Sequence, residues 1–275
     1  MSHIKIQTKS LGQWLAIVLI ALAGSAALPA GPASAQTLER IQASDELKVC
    51  MWPEYFGISY RNPRTDLLQG IDIDMSAALA KDLGVTLTYV PTTFASFMDQ
   101  LDSQECDIAM MGAGVTESRK QRIDFSDPYL RSDIYFITTK ANQILQSVQD
   151  LDQPGVVIAV QKGTLIEPFL KSHLKNASLA IVSGPGAREL EVESGRADAF
   201  ATDYPYSQRM LQNTDWARLI SPTTTLNLTD YAYAVRKQDP EWLDTVNAFV
   251  KRVKADGRLA KAAEKNALAP ILVKD

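Results

Sequence analysis

From Leu47 to Gly257 the chain alternates short apolar runs of strand length with segments whose apolar residues recur at helical spacing, and this alternation narrows the possible folds most. "LKVCMW" (47–52), "VTLTYV" (85–90) and "CDIAMMG" (106–112) read as strands, the last apolar almost throughout and so buried on both faces. Between the first two, "IDIDMSAALAKDLG" reads as a helix stopped at Gly84. Phe94, Phe97, Met98 and Leu101 fall at i, i+3, i+4 and i+7, one face of a second helix. After the strand "YFITT" (135–139) the same units return. "GVVIAV" is a strand, Thr164 to His173 a helix, "LAIV" a strand, Ala187 to Ser194 a helix, and "ADAFATD" a strand. Asp239 followed by Pro240 is an N-cap with proline in the first turn, and Trp242, Leu243, Val246, Phe249, Val250 and Val253 line one face as far as Gly257. Strands separated by helices pair mainly in parallel, so the sequence predicts an α/β fold made of two such lobes.

The first 35 residues read as a secretory signal: Lys5 and Lys9 form a positive start, "WLAIVLIALA" (14–23) is the apolar centre, and "ASA" ends at Ala35 as a small-residue cleavage site. The apolar centre is too short to span a bilayer. Gln36, not a cysteine, follows the cut, so no lipid anchor is expected and the mature chain is placed in the periplasm. The leader carries two lysines and no acids, which leaves 26 basic residues against 32 acidic ones, a net charge near −6. A mildly acidic chain argues against nucleic acid or anionic lipid as partner. Only one histidine, His173, lies beyond the leader. That excludes a multi-histidine metal site and leaves a serine–histidine–acid triad resting on a single residue.

Four blocks, "GIDIDMSAALAKDLGV", "FASFMDQLDSQECDIAMMGAGVTESRKQRIDFSDPYL", "GVVIAVQKGT" and "SGRADAFATD", stand in an order that resembles the extracellular solute-binding proteins of the polar amino acid uptake type. The resemblance runs from about Leu47 to the end. It implies a two-lobed fold of the periplasmic binding protein kind (type II), each lobe a mainly parallel sheet flanked by helices, which closes on a small ligand. Lobe one would comprise 36–132 plus 231–275, and lobe two 133–230. The resemblance also implies an inner-membrane ABC permease as partner, no cofactor, a monomer, and no catalysis.

Arg119 matches the family arginine that holds the ligand α-carboxylate, and its planar fork suits two parallel charge-assisted hydrogen bonds. The plainer alternative is a solvated charge at a helix start. Gly112 and Gly114 match positions where backbone or hydroxyl groups assist, and Gly114 stands where relatives often carry Ser or Thr. Asp203 matches the aspartate that accepts the ligand ammonium, although an aspartate at a strand end is commonly just a helix N-cap. Thr164 matches a donor to the carboxylate and also fits a capping box with Glu167. Trp52, Tyr55, Phe94 and Met111 are expected to approach the ligand from lobe one, with Tyr204 a looser candidate from lobe two. Relatives that take basic amino acids or glutamine tend to carry Asp where Trp52 stands, which disfavours Lys, Arg and His here. Cys50 and Cys106 lie on strands that neighbour each other in this fold, so an oxidising compartment is expected to join them; two buried thiols are the alternative. Two further functions remain open: a lyase of the cyclohexadienyl dehydratase type, with Glu167 as a possible acid, and an accessory protein of a periplasmic quinoprotein dehydrogenase.

Overall fold

The strand Glu46–Met51 is the centre from which the first lobe is built, pairing in parallel with Thr86–Pro91 on one side and Ile108–Gly114 on the other. The computed structural model describes residues 37–184 and 186–274, so the expected leader lies outside the described residues. Helices Ile71–Leu83 and Phe97–Asp102 make the two crossovers, and Gly84 ends the first of them in the left-handed conformation, φ 74°. The long strand Thr229–Arg236 runs antiparallel to Ile108–Gly114 and also pairs with Ile123–Phe125 and Leu130–Ser132. In the second sheet Val157–Gln161 lies in parallel between Ser178–Val182 and Ala199–Thr202, and Tyr135–Thr139 runs antiparallel to both Ala199–Thr202 and Ala217–Ile220.

Both sheets are therefore mixed, where the strand–helix alternation pointed to mainly parallel ones. Neighbouring parallel strands need a crossover connection, usually a helix. Tyr135–Thr139 and Thr229–Arg236 arrive from the opposite sheet, and that requirement does not bind them. A third, three-stranded sheet of Glu54–Tyr55, Ser59–Arg61 and Leu68–Gln69 has strands too short to show a period in sequence.

The helix Pro240–Ala255 forms as expected. Asp239 accepts from the Trp242 N–H at 3.4 Å, and Trp242, Val246, Phe249, Val250 and Val253 are all buried against the first sheet's core. Each such side chain contributes about 1.5–3 kcal/mol. A separate apolar cluster that includes Phe136, Leu145, Ile158, Val160 and Ile220 serves the second sheet.

The chain passes between the sheets at Asp133–Ile134 and returns between Ile220 and Thr229. The Asp133 carboxylate accepts from the Ile134 N–H (2.8 Å) on the outward path and from the Leu226 (3.1 Å) and Asn227 (2.8 Å) N–H groups on the return. One side chain thus ties the two crossing segments together. Cys50 and Cys106 form the expected disulfide, with Cα atoms 5.6 Å apart on adjacent strands.

Candidate functional site

The strand Ile108–Gly114 is buried at every position and runs out into Thr116, whose hydroxyl caps the short helix Glu117–Lys120 by accepting from the Arg119 N–H at 3.3 Å. Arg119 is not a solvated charge; it is 6% exposed. Its Nη1 donates to the Gly114 carbonyl at 2.9 Å and its Nη2 to the Gly163 carbonyl at 3.1 Å, which carries the bond across the cleft to the second sheet's side. The guanidinium also stands 5.3 Å from the centre of the Phe97 ring and 5.9 Å from that of Phe94. Burial pushes its pKa down to about 10, against the pull of Tyr231 and Tyr55, so it remains charged at neutral pH. Among the described residues no carboxylate forms an ion pair with it.

Gly112 adopts φ 63°, and a Cβ there would lie 2.9 Å from Tyr55 Cε1. Glycine is required on both counts. Its N–H donates to Asp72 Oδ2 at 2.8 Å, so the expected role of that amide as a ligand donor does not hold in this conformation. Gly114 lets Leu165 approach, since a Cβ would meet Leu165 Cδ2 at 2.2 Å. Asp72 itself is fully buried and also accepts from the Tyr129 hydroxyl at 2.7 Å. Burial raises its pKa to about 7 despite those two hydrogen bonds, and its Oδ1 has no partner.

Asp203 caps the helix Tyr204–Asn213, taking the Tyr206 N–H on Oδ1 at 3.2 Å, and it also faces the cleft. Its Oδ2 accepts from two phenols, Tyr231 at 2.6 Å and Tyr55. Burial, and next the Asp203 charge, hold both phenols well above their ordinary pKa, so they stay protonated and donate. The expected ammonium acceptor is thus already engaged by three donors.

The cleft encloses a cavity of about 40 Å³. Trp52, Tyr55, Phe94, Gly112, Gly114, Arg119, Thr164 and Asp203 all border it. Met111 does not: it is fully buried in the first lobe's core, on a strand where neighbouring residues face opposite ways. Tyr204 packs edge-on against Tyr135 instead. Phe94 precedes its helix rather than sharing a face of it, which frees the ring for the cleft. The capping box is not formed. The Thr164 hydroxyl donates to the Gln161 carbonyl at 2.9 Å, the helix starts later at Ile166, and Glu167 Oε2 accepts from the Gly163 N–H at 2.7 Å. Burial would raise the Glu167 pKa, but Lys171, the Gly163 amide and Lys162 together lower it.

Sequence reasoning missed Arg188, Tyr206 and Tyr231, all of which line the cavity. Arg188 carried a signal, because a cation in the first turn of a helix opposes the helix dipole and asks for a reason. Tyr231 carried none: its own strand partners, Gly114 and Leu130, are more than a hundred residues away.

Two lobes joined by a double crossing, with buried charges and rings facing across the cleft, define a ligand-binding protein of the flytrap kind. Residues 47–268 match the bacterial extracellular solute-binding proteins, family 3, and the chain belongs to that family. Among its relatives is the cyclohexadienyl dehydratase of Pseudomonas aeruginosa, 33% identical over 189 residues, which are 68% of this chain and 69% of that protein. Among solved structures, the ancestral amino acid-binding protein AncCDT-1, a precursor of cyclohexadienyl dehydratase, superposes with TM-score 0.78 at 34% identity, covering 84% of this chain and 99% of the other. The amino acid ABC transporter substrate-binding protein AbpA of Streptococcus pneumoniae, bound to L-arginine, gives 0.77 at 28% identity, covering 85% and 99%.

Proposed function

We propose that the protein captures an amino acid or related small organic acid in the periplasm, as a monomer freed of its leader after Ala35, and delivers it to an inner-membrane ABC permease. The observation that carries this reading is Arg119: a buried guanidinium with no acid partner among the described residues, set in a cleft whose opposite wall bears Asp203. A ligand carboxylate satisfies it bidentately in place of the carbonyls it now holds. Gly114 and Thr164 border that carboxylate, Asp203 takes an ammonium by exchanging its tyrosine partners, and Trp52, Tyr55 and Phe94 wall the remainder. Lobe one is 36–132 with 231–275 and lobe two 133–230, hinged at the crossings that Asp133 ties. A cavity of about 40 Å³ is far below ordinary ligand-pocket volumes of roughly 300–1,000 Å³, so the walls part to admit a ligand and close over it.

The same features weigh toward a binding protein over a lyase. Acid catalysis calls for a carboxyl of raised pKa in the cleft. Asp203 is the only carboxylate among the described lining residues and is held by two phenols, while Glu167 is lowered. The test is native mass spectrometry of the purified protein followed by calorimetry against a panel of amino and organic acids. Tight binding of one compound, lost in Arg119→Ala, supports the reading; no binding across the panel overturns it. Turnover of prephenate, abolished in Glu167→Gln, would reverse the non-enzymatic assignment.

A further inference from the structure

We propose that Arg188 is a second anion receptor in the cleft and that the ligand is a small dicarboxylic acid, one carboxylate held by Arg119 and the other by Arg188. This rests on the reading of the cleft as a ligand site and adds the class of ligand and the residue that selects it. Arg188 lines the cavity and is only 5% exposed. Its Nη1 donates to the Ala201 carbonyl at 3.2 Å and to Thr202 Oγ1 at 3.4 Å, and the guanidinium stacks 4.1 Å from the centre of the Tyr206 ring.

These contacts fix the side chain, yet they use one nitrogen of three. A guanidinium offers five N–H donors in a rigid fork. Among the described residues, Nε and Nη2 donate to no protein group and no carboxylate forms an ion pair with Arg188. Among the described residues neither neighbouring acid pairs with it, although Glu189 Oε2 has no partner of its own. Glu189 takes the Tyr206 hydroxyl and pairs with Arg209 at 3.6 Å. Glu54, held above the usual carboxylate range by burial, feels Arg209 and Glu189 before Arg188. A buried cation with idle donors is costly unless an anion meets it, and the edge formed by Nε and Nη2 matches a carboxylate.

The charge balance of the lining points the same way. Among the described lining residues, Arg119 and Arg188 face the cavity with Asp203 as the only carboxylate, and the Asp203 oxygens now hold Tyr55, Tyr231 and the Tyr206 amide. A basic ligand side chain meets a second guanidinium, with Asp203 already given to the ligand ammonium. A second carboxylate meets an open fork. The proposal sets this protein apart from the relative that holds L-arginine.

The test is calorimetry of the full mature chain, stripped of carried ligand, with glutamate, aspartate, 2-oxoglutarate and succinate, and with glutamine, asparagine and arginine as comparators. At least one dicarboxylate is expected to bind about tenfold or more tightly than its monoamide or than arginine. Arg188→Gln is expected to bring that ratio within about threefold while sparing the monoamide, and Arg188→Lys to retain part of it. Should Arg188→Gln not fold, the natural protein's ratio and the Arg188→Lys ratio decide. A monoamide or arginine that binds as tightly as every dicarboxylate overturns the assignment and leaves the cleft reading standing. So does a ratio unchanged in the Arg188 variants, which marks a structural role. No binding of any compound overturns both.

Discussion

On the first lobe's side of the cleft, Trp52, Tyr55 and Phe94 pack against one another with ring centres 5.3 to 5.7 Å apart, and Arg119 is the single charge among the described lining residues of that side. The other side carries most of the polar groups: Gln161, Thr164, Arg188, Thr202 and Asp203 come from strand ends and helix starts, beside Leu165, Ile166 and Tyr206. Rings with few rotatable bonds hold one shape at low entropic cost. Polar groups at element ends must instead be met again by new partners whenever the lobes part, because Tyr55 and Arg119 reach them across the cleft. The contrast teaches that the aromatic wall sets the shape of what fits, while the polar wall sets its charge and makes closure depend on the ligand.

The heaviest blow to this comparison falls on Arg119. Arg119→Ala is expected to cost about 2–5 kcal/mol of binding, roughly thirty- to several-thousand-fold in affinity, and Arg119→Lys less. Calorimetry that finds the alanine variant within about threefold of the natural protein would remove the first wall's charge from the account.

Next in size is the staple behind the aromatic wall. Cys50 and Cys106 close a loop of 56 residues, worth roughly 4 kcal/mol by loop entropy, although measured effects are often smaller. Urea unfolding with and without reductant measures it. The expected loss leaves second-lobe contacts alone, so a ligand affinity that survives reduction would confirm that the staple supports the wall without shaping it.

Asp72, beneath Gly112, gives the first wall a pH dependence. Its folded pKa of about 7 lies above the ordinary 3.8, so the protonated form is favoured by folding. The stability it contributes is fully present below the unfolded value and is lost as pH rises through about 7. Asp72→Asn, which keeps an acceptor for Gly112 and Tyr129, is expected to flatten this slope, a change on the order of a few kcal/mol between pH 4 and 8. An unaltered slope in thermal melts across that range would show that Asp72 is not its source.

Asp203→Asn probes the polar wall more gently. An amine-bearing ligand should lose about 1–3 kcal/mol, and its amine-free analogue almost nothing. Equal losses for both would mean that Asp203 acts on closure through Tyr55 and Tyr231 and not on the ligand. Smallest of all is Glu167→Gln, which removes a charge-assisted bond to the Gly163 amide. About 1–2 kcal/mol of stability and less than a threefold change in affinity are expected. A larger binding defect would extend the polar wall to the helix start at Ile166.

The local periods of the sequence determined much of the scaffold. The alternation of strand and helix and the helix Pro240–Ala255 with its cap at Asp239 follow from residues within a few positions of one another, while the place of Arg119 at a cleft came from the family resemblance. What only the tertiary structure decided is how the site's polar groups are spent. Tyr55 and Tyr231 reach Asp203 across 148 and 28 residues of chain, and the Gly112 amide goes to Asp72, 40 residues before it. Arg188 is an odd charge for a helix start, and its reason appears only when the strand Ala199–Thr202 and the Tyr206 ring close around it. Periodicity records which face of an element is buried, because burial repeats along that element. A hydrogen bond between two lobes repeats nowhere, so it leaves no trace in sequence until both ends of the chain stand side by side.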